Sequence, residues 1–417
     1  MTIDIFDRWY APPLAKKLKS PYVHILFGAR QTGKSTLLRS LLPESTTIID
    51  LADPQERARF SARPGEFIAM CRAMPQAVKP KFVFVDEVQT VPSVLDAVQS
   101  LYDSDKARWR FVLCGSSARK LRRTGANLLP GRSFLHHLYP LMLCEQPPAI
   151  DLEADHPAAV PMRWPQEEHR HPFPAWNLED RLAYGCLPGI VAARQADRAE
   201  ILKAFAALHL EEEIRRETLI RNWGDFIRFL HYAALGSGQM LNFASISQET
   251  GISQPTIKNY YQLLEDMFVG FRVPAFTRSV RKGLIATPRF FLFDLGVRNA
   301  AAGLEPSRII VAANPGPLFE QWVGIELWKR LQYLGASTLS YLRTKSGSEI
   351  DFIVQRGNVL IPIEAKWTEN PSARDTRHII AFIEEHPRLS PIGYIVCRCP
   401  RPLQLHEKVI ALPWELL

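Results

Sequence analysis

Val23-His24-Ile25-Leu26-Phe27-Gly28-Ala29-Arg30-Gln31-Thr32-Gly33-Lys34-Ser35-Thr36-Leu37-Leu38-Arg39-Ser40-Leu41-Leu42 is the stretch on which the fold turns. Val23 to Phe27 has the composition of a buried strand, and Leu37 to Leu42 has the apolar spacing of a helix, so the residues between them form a strand-to-helix loop. Gly28, Gly33, Lys34 and Ser35 fill the fixed positions of the phosphate-binding loop. The two glycines allow dihedrals and backbone approach that a Cβ would forbid, so the N–H groups of Gly28, Ala29, Arg30, Gln31, Thr32 and Gly33 can turn inward around an anion. Lys34 brings a point charge to the β- and γ-phosphates, and the Ser35 hydroxyl can ligate Mg2+. The helix opening at Thr36 directs its positive end at the same place. An ordinary glycine turn is the bland alternative, and the strand-loop-helix order argues against it. The ligands implied are ATP and Mg2+.

Outward from this stretch, 417 residues give room for two to four domains, each with its own core. The composition, 47% apolar and 23% charged, is that of ordinary water-soluble proteins. A net charge of +8 suits an acidic partner such as nucleic acid, although solubility alone accounts for such an excess. No apolar run approaches the ~18 residues of a membrane span, and Met1 to Asp7 show no basic segment leading into an apolar one. The expectation is a cytoplasmic protein with no membrane partner. The six cysteines form no CxxC pair, which argues against zinc and disulfide frameworks and fits reduced thiols.

In chain order, Arg8-Trp9-Tyr10 and a helix from Leu14 to Leu18 precede the first strand, either as a rest for a nucleotide base or as plain packing. Thr46 to Leu51 reads as a second strand. Lys81-Phe82-Val83-Phe84-Val85-Asp86-Glu87 reads as a third, with the apolar core of a parallel-sheet strand and two carboxylates at its end. This is a Walker B arrangement: Asp86 holds Mg2+ through water and Glu87 polarises the attacking water. A fourth strand, Trp109 to Cys114, ends in Gly115-Ser116-Ser117, where Ser116 can sense the γ-phosphate or cap a helix. Arg132, after Pro130-Gly131, is either an arginine finger in its own or a neighbouring subunit, or one half of a surface salt bridge.

Leu26 to Leu38, Val85-Asp86-Glu87-Val88-Gln89, Gly115-Ser116-Ser117-Ala118 and Gly131-Arg132, followed by Tyr139-Pro140-Leu141, together resemble a widespread prokaryotic family of AAA+ ATPases. The resemblance spans nearly the whole chain. It implies an AAA ATPase core (residues 1–145) followed by a shared C-terminal region catalogued as a domain of unknown function, DUF4143. It speaks to chemistry more than to purpose.

Residues 146–180, rich in proline and poor in apolar periodicity, read as a linker or insertion, and 181–225 as a helical lid or connector. Residues 226–285 read as a winged helix-turn-helix: helices from Phe226, Phe243 and Gln254, the last two joined at Gly251-Ile252-Ser253, then a strand from Phe268 to Val273. Gln254, Thr256, Lys258 and Asn259 lie where side chains reach base edges or phosphates, and Arg278, Arg281 and Lys282 can continue onto the backbone. A winged helix used only for packing is the alternative. Residues 286–417 carry Glu320 on a helix, Asp351 on a strand, and Glu364-Ala365-Lys366 on the next, which together look like the PD-(D/E)xK nuclease pattern. There Asp351, Glu364 and Glu320 would hold Mg2+ and Lys366 would orient the nucleophilic water. Such a fold either cuts DNA or only grips it, and gripping is favoured because Pro362 and its aliphatic neighbours suit a structural strand equally well.

The expected architecture is therefore α/β: a P-loop AAA+ core with a parallel sheet, a winged helix-turn-helix, and a small α/β restriction-endonuclease-like domain. The expected function is a Mg-dependent ATPase that binds and remodels DNA, branched or recombining DNA in particular, working as a homo-oligomer. Alternatives from other classes are a regulatory switch ATPase acting on a protein partner and an ATP-controlled endonuclease.

Overall fold

The computed structural model describes residues 6–76, 78–117, 129–146, 148, 175–210, 215, 222–277, 287–335, 337–344 and 347–417. The chain divides into two compact units, Met1–Pro140 with Gln262–Val269, and Leu141–Tyr261 with Gly270–Leu417.

The first unit is built on a five-stranded sheet of β1 (Val23–Phe27), β2 (Thr47–Asp50), β3 (Lys81–Asp86), β4 (Trp109–Gly115) and β5 (Ser133–His137), in the spatial order β2-β3-β4-β1-β5. Every pairing is parallel. A parallel neighbour can be reached only by a crossover, so helices fill the intervals. After α1 (Ala11–Leu18), which precedes β1, they are α2 (Lys34–Leu41), α3 (Pro54–Ala62), α4 (Gly65–Ala73) and α5 (Ser93–Ser104). Val23 to Phe27 is buried at all five positions, as befits a strand covered on both faces. Ile25, Phe27, Val83, Val85, Phe111 and Leu113 join Leu95 and Leu101 of α5 in one core.

Register decides what this sheet can do. Phe27 stands opposite Gly115, Val85 opposite Leu113, and Asp50 opposite Asp86. The residues that follow β1, β3 and β4 therefore emerge together at the carboxyl edge, where open α/β sheets hold their ligands. The fifth strand is absent from the sequence expectation because Ser133-Phe134-Leu135-His136-His137 is an edge strand of mixed polarity. Phe134 and Leu135 are exposed, so no alternating or continuous apolar signal marks it.

In the second unit, α6 (Leu178–Tyr184), α7 (Arg198–Ala204) and α8 (Trp223–Leu235) precede α9 (Phe243–Thr250) and the start of α10 (Gln254–Asp266), whose residues from Gln262 onward belong to the first unit. Helix α8 starts three residues before Phe226 because the Asn222 side chain accepts the Asp225 N–H and fixes the cap there. Asn242 caps α9 by accepting from the N–H groups of Ala244 and Ser245. The turn into α10 passes through Gly251 at φ 72°, a left-handed conformation that favours glycine. Within the stretch expected to be a helical lid or connector, α7 gives way at Phe205–Leu210 to π-helix, and most of residues 211–221 lie outside the described residues.

Strand β6 (Gly270–Val273) pairs antiparallel with β7 (Arg289–Leu292), and Met240 bridges to Arg289 on the other side. The strand expected from Phe268 starts two residues later, because Phe268 itself sits at φ 59° and cannot extend a ladder. Helix α11 (Leu295–Ala301) follows β7, and the long α12 (Pro315–Leu334) then leads into a six-stranded sheet of order β12-β13-β11-β10-β9-β8. Its strands are β8 (Ser337–Arg343), β9 (Glu349–Arg356), β10 (Val359–Ala365), β11 (Gly393–Cys397), β12 (Leu403–His406) and β13 (Val409–Pro413). The first three form an antiparallel meander, and α13 (Arg377–Glu385) carries the chain across to β11, parallel to β10. Pro362 is tolerated inside β10 because pairing with β11 begins only at Ile363. Among the described residues no helix is long and apolar enough to cross a membrane.

Candidate functional site

At the carboxyl edge of the first sheet, the loop after β1 is shaped by backbone conformations its sequence selects. Gly33 caps α2 at φ 89°, and Gln31 is also left-handed, at φ 61°. A Cβ at Gly28 would lie 2.2 Å from the Leu138 carbonyl oxygen, so only glycine lets the loop leave the strand there. The Lys34 ammonium, almost wholly buried, donates to the Gly28 and Ala29 carbonyls, both at 2.9 Å, and is thereby centred on the loop. Thr32 closes the ring by donating its hydroxyl to Ala29 O at 2.9 Å. From outside, Arg8 donates to Thr32 O at 2.7 Å and to Tyr139 O at 2.6 Å. This brace gives the N-terminal Arg8 a structural role that the sequence left undecided.

Two strands away, Asp86 is buried at the end of β3, and its Oδ1 accepts the Glu87 N–H at 3.1 Å. Glu87 sits in the left-handed region at φ 54°, ψ 42°, a costly place for a non-glycine residue. Its carboxylate accepts a hydrogen bond from the Gln89 amide and lies 3.5 Å from the Ser116 hydroxyl, while the same amide is 2.9 Å from Ser116 Oγ. Gly115 makes room for this: a Cβ there would stand 2.6 Å from Gln89 Oε1. Glu87, Gln89 and Ser116 thus form one polar set on the ends of β3 and β4. The sequence reading picked out Glu87 and Ser116 but not Gln89, which shows no motif spacing and is placed by its bonds to Glu87 and Ser116 in the room left by Gly115. A hydroxyl at Ser35, a carboxylate at Asp86, a buried ammonium at Lys34 and a glycine cradle that a Cβ would fill suit a Mg-nucleotide well.

Arg132 is elsewhere. Its carbonyl accepts the N–H of Val23 at the opposite end of β1, so a five-residue strand, about 16 Å, separates it from the loop. Its guanidinium pairs with Asp103 at 2.7 Å, half in solvent. A finger acting within its own chain is therefore replaced by the surface salt bridge that was the alternative.

The second unit gathers a separate set of charges. Glu320 comes from α12, Glu349 and Asp351 from alternate positions of β9, Glu364 from β10 with Lys366 just beyond it, and Arg289 from β7. Arg289, nearly buried, donates to Glu320 at 2.8 Å and to Glu349 at 2.6 Å, and its guanidinium lies 4.7 Å above the Tyr341 ring. Lys366 pairs with Glu364 Oε2 at 2.8 Å, while Glu364 Oε1 is buried without a hydrogen-bond partner. Asp351 Oδ2 accepts the Ala365 N–H at 2.9 Å.

Burial pushes the Glu320 carboxyl up to about 7, with Asp351 adding to the shift and Arg289 opposing it. Burial also raises Asp351 and Glu364, against the Ala365 N–H for the first and Lys366 for the second. Burial would lower Lys366, but the hydrogen bond it donates to Glu364 and the charges of Glu364, Asp351 and Asp375 together outweigh burial and raise the ammonium. Glu320, Asp351, Glu364 and Lys366 thus share one electrostatic neighbourhood. Yet among the described residues no three acidic, histidine or cysteine side chains converge to hold a metal ion. The ligand set expected for Mg2+ is not assembled, and Glu320 is turned to Arg289 instead. Sequence reasoning missed Arg289 and Glu349, although two acids alternating on a strand as apolar as β9 were a readable sign.

On α10, Gln254, Lys258 and Asn259 are exposed and Thr256 is half-buried, its hydroxyl 2.8 Å from that of Ser253. The Lys258 ammonium lies 5.3 Å over the Phe243 ring. Arg278, Arg281 and Lys282 lie outside the described residues.

Comparison with known proteins adds three matches: "AAA domain" over residues 20–146, "Domain of unknown function (DUF8612)" over 175–308, and "Domain of unknown function (DUF4143)" over 315–417. A Haemophilus influenzae protein described as "Uncharacterized protein" is 21% identical over 405 residues, covering 92% of each chain. Among solved structures, the Walker-type ATPase PABY2304 of Pyrococcus abyssi overlaps 72% of this chain and 96% of its own, at 17% identity and a TM-score of 0.43. Protein VC1899 from Vibrio cholerae overlaps 95% of each chain at 13% identity and a TM-score of 0.19. The chain thus carries an AAA-type P-loop domain at its N-terminal end and a DUF4143 domain at its C-terminal end.

Proposed function

We propose that this protein is a Mg-dependent ATPase whose hydrolysis is coupled to binding and remodelling DNA, branched or recombining DNA in particular. In this reading the loop N–H groups and Lys34 would hold the phosphates, and Ser35 and Asp86 would hold a magnesium ion, which would supply positive charge for phosphoryl transfer. Glu87 orients and polarises the attacking water, and Gln89 and Ser116 fix the Glu87 carboxylate. The DNA assignment rests on one observation: α10, entered through the Gly251 turn, leaves Gln254, Lys258 and Asn259 exposed at its N-terminal half, with a β6–β7 hairpin following. That layout supports the reading of a winged helix-turn-helix entering a groove. The order α12-β8-β9-β10-α13-β11 supports a restriction-endonuclease-like fold for the C-terminal part, used for gripping rather than cutting, because Glu320 is committed to Arg289.

The test is the ATPase rate with and without single-stranded, duplex and four-way DNA. Stimulation by DNA, strongest with the four-way form, is expected. A rate indifferent to all three, with no DNA binding at low salt, would move the assignment to a switch ATPase acting on a protein. Asp351-dependent cleavage in Mg2+ would move it to an endonuclease.

A further inference from the structure

The acidic cluster of the second unit carries its own cation. Four carboxylates, Glu320, Glu349, Asp351 and Glu364, face two cationic groups, Arg289 and Lys366. A carboxylate oxygen of Glu364 is buried with no hydrogen-bond partner, which marks a site short of positive charge. Nevertheless no metal-ligating set is assembled among the described residues, and the bridge from Arg289 gives the reason. A guanidinium is a planar fork that takes two carboxylates at once, and here it draws Glu320 towards Glu349. Tyr341 fixes the fork, with its ring 4.7 Å below the guanidinium and its hydroxyl donating to the Thr287 carbonyl at 2.5 Å.

We infer that Arg289 is a built-in cation that keeps divalent metal out of this cluster by holding Glu320 on Glu349, so that removing the guanidinium creates a divalent-metal site on Glu320, Asp351 and Glu364. This rests on the nuclease-like reading of the C-terminal sheet and is independent of the DNA assignment. Arg289 belongs to β7, the strand that closes the hairpin after α10, so the element next to the proposed DNA-reading helix also sets the charge of the cluster. The ligand class is a hard divalent cation with oxygen ligands, Mg2+ or Mn2+.

The experiment is Mn2+ titration of the full-length, nucleotide-free protein, followed by the EPR signal of free Mn2+. Binding is counted only as the part that Asp351→Asn abolishes, which leaves aside Mn2+ bound at the phosphate loop. Wild type is expected to show weak Asp351-dependent binding, and Arg289→Met to bind at least about tenfold more tightly, because a competing charge is gone. Arg289→Lys keeps a charge but loses the planar fork that holds both carboxylates at once, so it is expected to fall between the two. It also serves as the folded comparison if the methionine variant is unstable. Arg289→Met and Arg289→Lys binding no more tightly than wild type would overturn the inference while leaving the cluster as a metal site. Absence of Asp351-dependent binding in every variant would overturn both the inference and the nuclease-like reading of the cluster.

Discussion

Glu87 shows how much of a catalytic position is set by neighbours that carry no motif. Its carboxylate is tied to Gln89, Gln89 is tied to Ser116, and the Gly115 position is free of a Cβ so that Gln89 can lie there. Two consequences can be measured. Lys34→Ala should remove most ATP binding, whereas Glu87→Gln should retain ATP and hydrolyse it at least about a hundredfold more slowly, since only the second group is needed chiefly in the transition state. Equal loss of affinity in both would remove these roles. Gln89→Ala should lower kcat roughly tenfold with ATP affinity unchanged, because the residue positions Glu87 without touching nucleotide. Gly115→Ala should reproduce that kinetic effect, since a Cβ 2.6 Å from Gln89 Oε1 must displace the amide. Unaltered kcat in both variants would leave Gln89 a packing residue. The phosphate-loop and Walker B residues were legible in the sequence because their spacing along the chain is fixed by one strand and one loop. Gln89, Arg8 and Arg289 were not, because each meets a partner across strands or segments whose pairing no local pattern specifies.

At the scale of elements, legibility followed burial. Strands β1, β3 and β4 are covered on both faces and announce themselves as continuous apolar runs, while β5 is an edge with exposed Phe134 and Leu135 and announces nothing. Helix α9 was readable to the residue because Asn242 caps it and Gly251 ends it, whereas α8 extended past its apparent start because the cap is Asn222. Asn242→Ala should therefore cost about 1 kcal/mol of stability by releasing two N–H groups, measured by denaturant unfolding, with Gly at the same position costing less. If α10 meets phosphates, replacing Lys258 by Ala should weaken DNA binding evenly across sequences and reduce the slope of log affinity against log salt by roughly one. A slope unmoved by Lys258→Ala would place the contact on another element.

Across the whole molecule, the two compact units carry buried titratable groups of opposite sign. In the first, Tyr10 OH is 2.7 Å from His136 Nδ1, and His136 Nε2 is 3.0 Å from His24 Nδ1, in a buried chain linking β1 to the edge strand β5. Burial lowers His24 to about 4 and His136 to about 3, with His24 as a further cause for the latter. A histidine depressed in the folded state binds its proton more readily when unfolded. Its contribution is therefore complete above about pH 6.5 and is lost as pH falls towards the folded value, about 3 kcal/mol for a ring shifted as far as His24. In the second unit, Glu320 is raised to about 7 by burial. A carboxyl raised in the folded state takes up its proton before the unfolded chain does, so stability increases as pH falls from about 7 towards the unfolded value near 4.5. Burial would also raise Glu326, but Lys329 and Arg330, each at 2.9 Å, hold it down to about 2, and its contribution fades only below about pH 4.5. Between about pH 7 and 4.5 the P-loop unit should therefore weaken while the C-terminal unit strengthens. Calorimetry at pH 7.5, 6 and 5 is expected to show the melting transitions moving apart, the lower one being the transition that Mg-ATP raises at pH 7.5. Replacing both His24 and His136 by Gln should hold that lower transition steady through the same range. Transitions that shift together with pH, or a lower transition that still falls in the double variant, would show that the buried histidine chain does not govern the acid stability of the P-loop unit.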